Sequence, residues 1–203
     1  MKTLALRHLF MTAALLVCAS PVSGQVQGAK ENAPAPSNAI DVGTRYVLSG
    51  FMGDGEDGKK WVQVDEACKT SPKSGPTCIK VRYSLGAKLW AGAYWFNKPN
   101  NWGDKPGEDF SSRGFQRVAF FARGEKGGEI VEFKSGGVDS PGKKYKDSFE
   151  ESTGKVTLEK EWKRYTIDLK GQNLSSVIGL FCWVANDSNP KEITFYLDDI
   201  RYE

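Results

Sequence analysis

The chain has 203 residues, 28 basic against 25 acidic side chains, a net charge of +3, and six tryptophans with eleven phenylalanines. So balanced a charge leaves no electrostatic footprint for nucleic acid. One histidine, His8, is all the imidazole available for a Ser-His or Cys-His pair or a histidine-built zinc site.

In chain order, residues 1–24 join a basic start (Lys2, Arg7, His8) to an apolar run from Leu9 to Ala19 and small residues before Gln25, the layout of a secretory signal peptide. The run is shorter than the ~20 apolar residues of a membrane helix, so export to the periplasm or the exterior is expected. Cleavage there would remove Lys2, Arg7 and no acid, lowering the net charge to +1, and would take His8 away as well. Lipid anchoring at Cys18 is the alternative, disfavoured because Val17 precedes it where a small residue is usual. Residues 25–42 carry Pro34 and Pro36 and few aromatics, and read as an exposed tether leading to a domain over 43–203.

Within that domain short alternating runs predict about ten strands, near 45–50, 61–66, 77–84, 89–96, 115–123, 129–134, 155–158, 162–169, 177–185 and 193–202. Turn-rich stretches such as GDGEDG, KPNNWGDKPG and SGGVDSPGKK separate them, with one helical turn at most, around Leu174 to Val177. Each half-apolar strand needs a second sheet to cover it, so the expected fold is all-β, a jelly-roll β-sandwich of two antiparallel sheets.

Cys68 and Cys78 flank a Lys/Ser/Pro/Gly-rich loop and predict a disulfide in an oxidising compartment, since no further thiol or imidazole nearby offers a metal site. Cys182, inside LFCWV, reads as a buried thiol. Gly53, Gly55 and Gly58 match the dinucleotide fingerprint, but a strand-like KKWVQVDE follows and Asp54, Glu56 and Asp57 would repel a pyrophosphate. The same loop lacks the spacing of an EF-hand, leaving a solvated acidic turn or part of a calcium site assembled from distant segments. Carboxylate-only glycosidase or lyase chemistry needs two acids on one face. Glu129 and Glu132, three apart, face opposite ways in a regular strand.

The stretches SGFMGDG, WAGAYWFNKPNNWG, VAFFARGEKGGE, EWKRYTIDL and FYLDDIRYE together resemble the galactose-binding-like jelly-roll carbohydrate-binding modules, over about residues 45–203. The resemblance implies non-catalytic binding of a polysaccharide or glycan. It also implies a structural calcium near the meeting of the last and first strands, with Asp198 as ligand and Asp54 and Glu56 as weaker candidates. Aromatic side chains would do the binding, an indole covering the C–H face of a sugar while polar groups bond its hydroxyls.

Trp61, Trp90 and Trp162 read as core, and Trp102, in the PNNWG loop, as either a lid or a ligand contact. Strand alternation groups Trp95, Phe121, Arg123 and Trp183 into a sugar platform rimmed by Asn101, Trp102 and Asn186, or equally into a second small core under that loop. An exported sandwich domain that binds another protein through the same patch is the competing functional reading, since exposed apolar patches serve that use too.

Overall fold

Residues 37–203 are described by a computed structural model, so the leader expected at 1–24, with His8 and Cys18, lies outside the described residues, as does the tether as far as Pro36. The described residues form eleven strands in two antiparallel sheets, the jelly-roll β-sandwich that the alternating runs predict. The strands are β1 (Ile40–Asp41), β2 (Val47–Gly53), β3 (Val62–Cys68), β4 (Cys78–Ser84), β5 (Trp90–Phe96), β6 (Arg117–Gly124), β7 (Ile130–Gly136), β8 (Glu150–Thr157), β9 (Lys163–Asp168), β10 (Gly179–Asn186) and β11 (Glu192–Tyr202). The first sheet runs β3-β4-β11-β6-β9, and the second runs β2-β5-β10-β7-β8.

β11 is the central strand of the first sheet. Its first half pairs with β4, its last residues pair with β1, and β6 lies along its other side. The ladder to β6 slips between Asp198 and Arg201, where Asp199 takes a left-handed φ of 52°, a bulge that turns two adjacent carboxylates away from the core. Because Ile40 and Asp41 pair with Tyr202 and Arg201 and Val42 is buried, the sandwich begins before the boundary expected at residue 43.

Helical structure falls elsewhere than Leu174 to Val177, which form an irregular segment with Val177 bridged to Glu108. One turn, α1 (Val42–Arg45), is capped by Asp41, whose side chain accepts the Thr44 N–H. The acidic GDGEDGKK loop folds into short 3₁₀ turns over Asp54–Lys60.

Between the sheets lies an aromatic interior. Phe120 packs against Phe133, Phe181 and Tyr165, and Trp183 packs edge-on against Phe195 at a centroid distance of 5.4 Å. These rings interlock at edge-to-face and offset angles, which favour one arrangement over loose stacking. A smaller cluster lies outside the second sheet, where Tyr94, Phe96, Val138, Ile178 and Cys182 pack with Met52, Trp102, Tyr145 and Val184.

Candidate functional site

The second sheet turns one face to the core and the other outward. Along β5 the alternation places Ala91, Ala93 and Trp95 inward and Trp90, Gly92 and Tyr94 outward. Along β10, Phe181 and Trp183 point inward while Cys182 and Val184 point outward. β7 contributes Glu132 and Lys134 to the same outer face, and β2 contributes Met52.

Several of these residues line a groove of about 390 Å³ together with Trp102 and, from the loop after β7, Asp139 and Ser140. Trp90 and Trp102 are its two indoles. Trp90 is 39% exposed, the most exposed large aromatic among the described residues. A Cβ on Gly53 would lie 2.9 Å from its ring, so the bare glycine backbone is the surface on which that indole rests. Gly92 lowers the groove floor between Met52 and Val184 in the same way, since a Cβ there would meet the Met52 methyl at 2.9 Å.

Trp102 is half-buried, edge-on to Phe96 at 4.8 Å and to Tyr94 at 6.1 Å. Its loop is built around Asn101, whose amide donates to Asn97 Oδ1 and Lys105 O and whose carbonyl accepts from Gly103 and Lys105 N–H. The Tyr94 hydroxyl donates to Gly136 O at 3.0 Å, and burial raises its pKa further, so it is a neutral structural donor. Lys134 pairs with Glu150 on β8 and Asp139 with Lys146 at 3.4 Å, and Glu132 is the third charged side chain of the groove.

The seven residues of the expected platform and its rim are divided among four places. Trp95 and Trp183 have no solvent exposure and belong to the main core. Phe121 and Arg123 project from the outer face of the first sheet, on the far side of the molecule from the groove. There the Arg123 guanidinium is stacked 3.8 Å over Tyr196 and Lys73 Nζ lies 4.6 Å from the Phe121 ring. Asn101 is buried scaffold, and Asn186 caps the turn after β10 by accepting the Ser188 N–H. Of the seven residues, Trp102 alone lines the groove.

Alternation pairs the residues of each strand correctly but does not say which face is inward, because both faces of β5 and β10 carry large apolar side chains. Trp90, which reads as core in the sequence, is the residue missed. The signal for it is the Trp90-Gly92-Tyr94 series set against Ala91-Ala93-Trp95.

The three carboxylates expected at a calcium ion are apart and occupied. Asp54 is buried and accepts from Tyr83 OH, Gly86 N–H and Lys88 N–H at 2.8–2.9 Å. Burial raises its pKa, but those donors outweigh it and hold the carboxyl below its ordinary value. Asp198 accepts the N–H groups of Lys73, Ser74 and Asp199, near Cys78, while Asp54 meets Tyr83 at the other end of β4. Glu56 is exposed and pairs with Lys88. Asp54, Glu56 and Asp198 therefore do not meet at one ion, and among the described residues no three His, Cys, Asp or Glu side chains converge as metal ligands. Cys68 and Cys78 face each other across the β3–β4 ladder, and both are free thiols in this structure. Cys182 is fully buried, as expected, under Tyr94.

No family model matches the chain, and no curated protein matches it. Solved structures do. A family 30 carbohydrate-binding module of a cellulosomal cellulase of Clostridium thermocellum is similar over 81% of this chain and 96% of its own, with 14% identity and a TM-score of 0.52. Another family 30 module, 17% identical, aligns over 80% of this chain and 86% of its own at 0.52. A family 11 module of a second cellulosomal cellulase of that organism aligns over 80% and 91%, with 14% identity and a TM-score of 0.50. At these identities the likeness establishes a shared fold, the jelly-roll sandwich of carbohydrate-binding modules.

Proposed function

We propose that the protein is an exported, non-catalytic polysaccharide-binding domain whose site is the groove on the outer face of the second sheet. One observation carries the reading: an exposed indole, Trp90, packed against a side-chain-free glycine in an open groove that also holds Trp102 and polar groups. The apolar C–H face of a pyranose stacks on such an indole. Glu132, Lys134, Asp139 and Ser140 stand where hydroxyls of the same chain can exchange water for protein hydrogen bonds. An open groove accepts an internal stretch of polymer without enclosing it, and affinities of about micromolar to millimolar, roughly 4–8 kcal/mol, suit such exposed contacts. The shared sandwich fold supports this reading.

Catalysis is not required by anything in the groove. Removing Trp90 would take away the stacking surface while leaving the sheet intact, because the side chain packs on backbone and not in the core. Affinity electrophoresis against soluble β-glucans, mannans, xylans and uronans, with reducing-sugar release measured in parallel, tests the proposal. We expect retardation by at least one polymer, an approximately tenfold or larger weakening in Trp90→Ala, and no sugar release. Retardation that survives Trp90→Ala would overturn the site, and turnover would overturn the non-catalytic reading.

A further inference from the structure

We propose that Cys68 and Cys78 form a disulfide that clamps the loop over residues 69–77 across the outer face of the first sheet. The two residues are register partners at the mouth of the β3–β4 hairpin, just past a bulge that follows Asp65. Directly paired antiparallel residues hold their Cα atoms about 4.5–5.5 Å apart, within the range that a disulfide spans. Both side chains are buried and share a cluster with Tyr196 and Trp162. A metal is the other use of two facing thiols, and among the described residues no third ligand accompanies them.

The loop between them has no buried side chain of its own and is held by polar contacts to the sheet beneath. Lys73 and Ser74 donate their N–H groups to Asp198 at 2.8 and 3.1 Å. Trp162 Nε1 donates to Ser71 O at 2.9 Å and Arg123 Nη2 to Thr70 O at 3.3 Å. Ser71, a non-glycine residue, sits at a left-handed φ of 49°. A loop held this way opens easily unless its base is fixed, and a covalent bond between 68 and 78 closes that base.

The chemistry balances as a thiol–disulfide exchange. The thiolate of one cysteine attacks an external disulfide such as oxidised glutathione, releasing one glutathione thiolate. The second cysteine loses its proton and attacks the mixed disulfide, expelling the second. Two electrons pass to glutathione and the protein gains one S–S bond. In the folded protein burial, reinforced by the neighbouring Cys68 sulfur, pushes the Cys78 thiol up to about 12, so ring closure belongs to folding, when both sulfurs meet solvent.

The test is to unfold and reduce the full chain, refold it in a reduced and oxidised glutathione buffer, alkylate it and map its peptides. We expect a Cys68–Cys78 linked peptide and a Cys182 that alkylates only under denaturing conditions. The Tm should exceed that of dithiothreitol-treated protein by about 5–10 °C, a difference absent from the double variant Cys68→Ser, Cys78→Ser. Full alkylation of Cys68 and Cys78 after oxidative refolding, a link to Cys18 or Cys182, or an equal response of the double variant would overturn the proposal. The outcome does not depend on glycan binding, which takes place on the opposite sheet.

Discussion

Leu89, immediately before the groove tryptophan, adopts a left-handed φ of 62° and is half exposed. A branched residue there carries roughly 1–2 kcal/mol of backbone strain that glycine would not. Trp90 follows directly and packs against Gly53. Leu89→Gly is therefore expected to raise stability by up to about 1 kcal/mol in thermal or urea unfolding, after the entropic cost of glycine, and to weaken glycan binding by loosening Trp90. A loss of stability would show that the left-handed turn is unstrained. At Asp54 the expectation is opposite. Three donors converge on its carboxylate, and in Asp54→Asn the new side-chain amide would turn an N–H toward at least one of them, costing about 2–3 kcal/mol by denaturant titration. Neither residue's role is legible from the sequence, where Asp54 belongs to an acidic loop open to solvent or metal; its donors come from Tyr83, Gly86 and Lys88, 29, 32 and 34 positions away.

At the scale of elements, strand positions are readable because period-2 alternation survives wherever one face is buried and turn residues mark the ends. β1 is not, for two residues carry no period, and β8 reads short because its first half, EEST, is polar and lies at the sheet edge. Assigning faces fails on β5 and β10 for a physical reason: the outer face of the second sheet has an apolar cluster of its own, so inward and outward residues look alike. Gly50 lies against that cluster. A Cβ there would lie 2.5 Å from the Phe96 ring and 2.8 Å from Tyr94 Cβ, so Gly50→Ala must displace Phe96, on which Trp102 leans. We expect a loss of about 2 kcal/mol or more together with weaker glycan binding, measured by calorimetric unfolding and electrophoresis. Unchanged binding would separate the small cluster from the groove.

For the whole molecule, two solution properties follow. Asp147 ties β10 to the loop after β7 by accepting the N–H groups of Val138, Ile178 and Gly179. Burial pushes its carboxyl up to about 6, partly offset by those three donors. Its folded value lies above the unfolded one near 3.9, so the folded state holds the proton more tightly. This contribution is full below about pH 4 and declines as the pH rises to about 6. The stability advantage of wild type over Asp147→Asn should therefore narrow between pH 4 and pH 7, and a widening gap would contradict the assignment. The scattered, occupied carboxylates further predict that calcium or a chelator leaves the Tm unchanged, whereas a bound ion would shift it. The indole N–H resonances report directly on the location of the site. Titrating ¹⁵N-labelled protein with the polymer it binds should shift the signals of Trp90 and Trp102 and leave those of Trp95, Trp183 and Trp162 in place; movement at Trp162 with Trp90 unaffected would put the glycan on the other sheet.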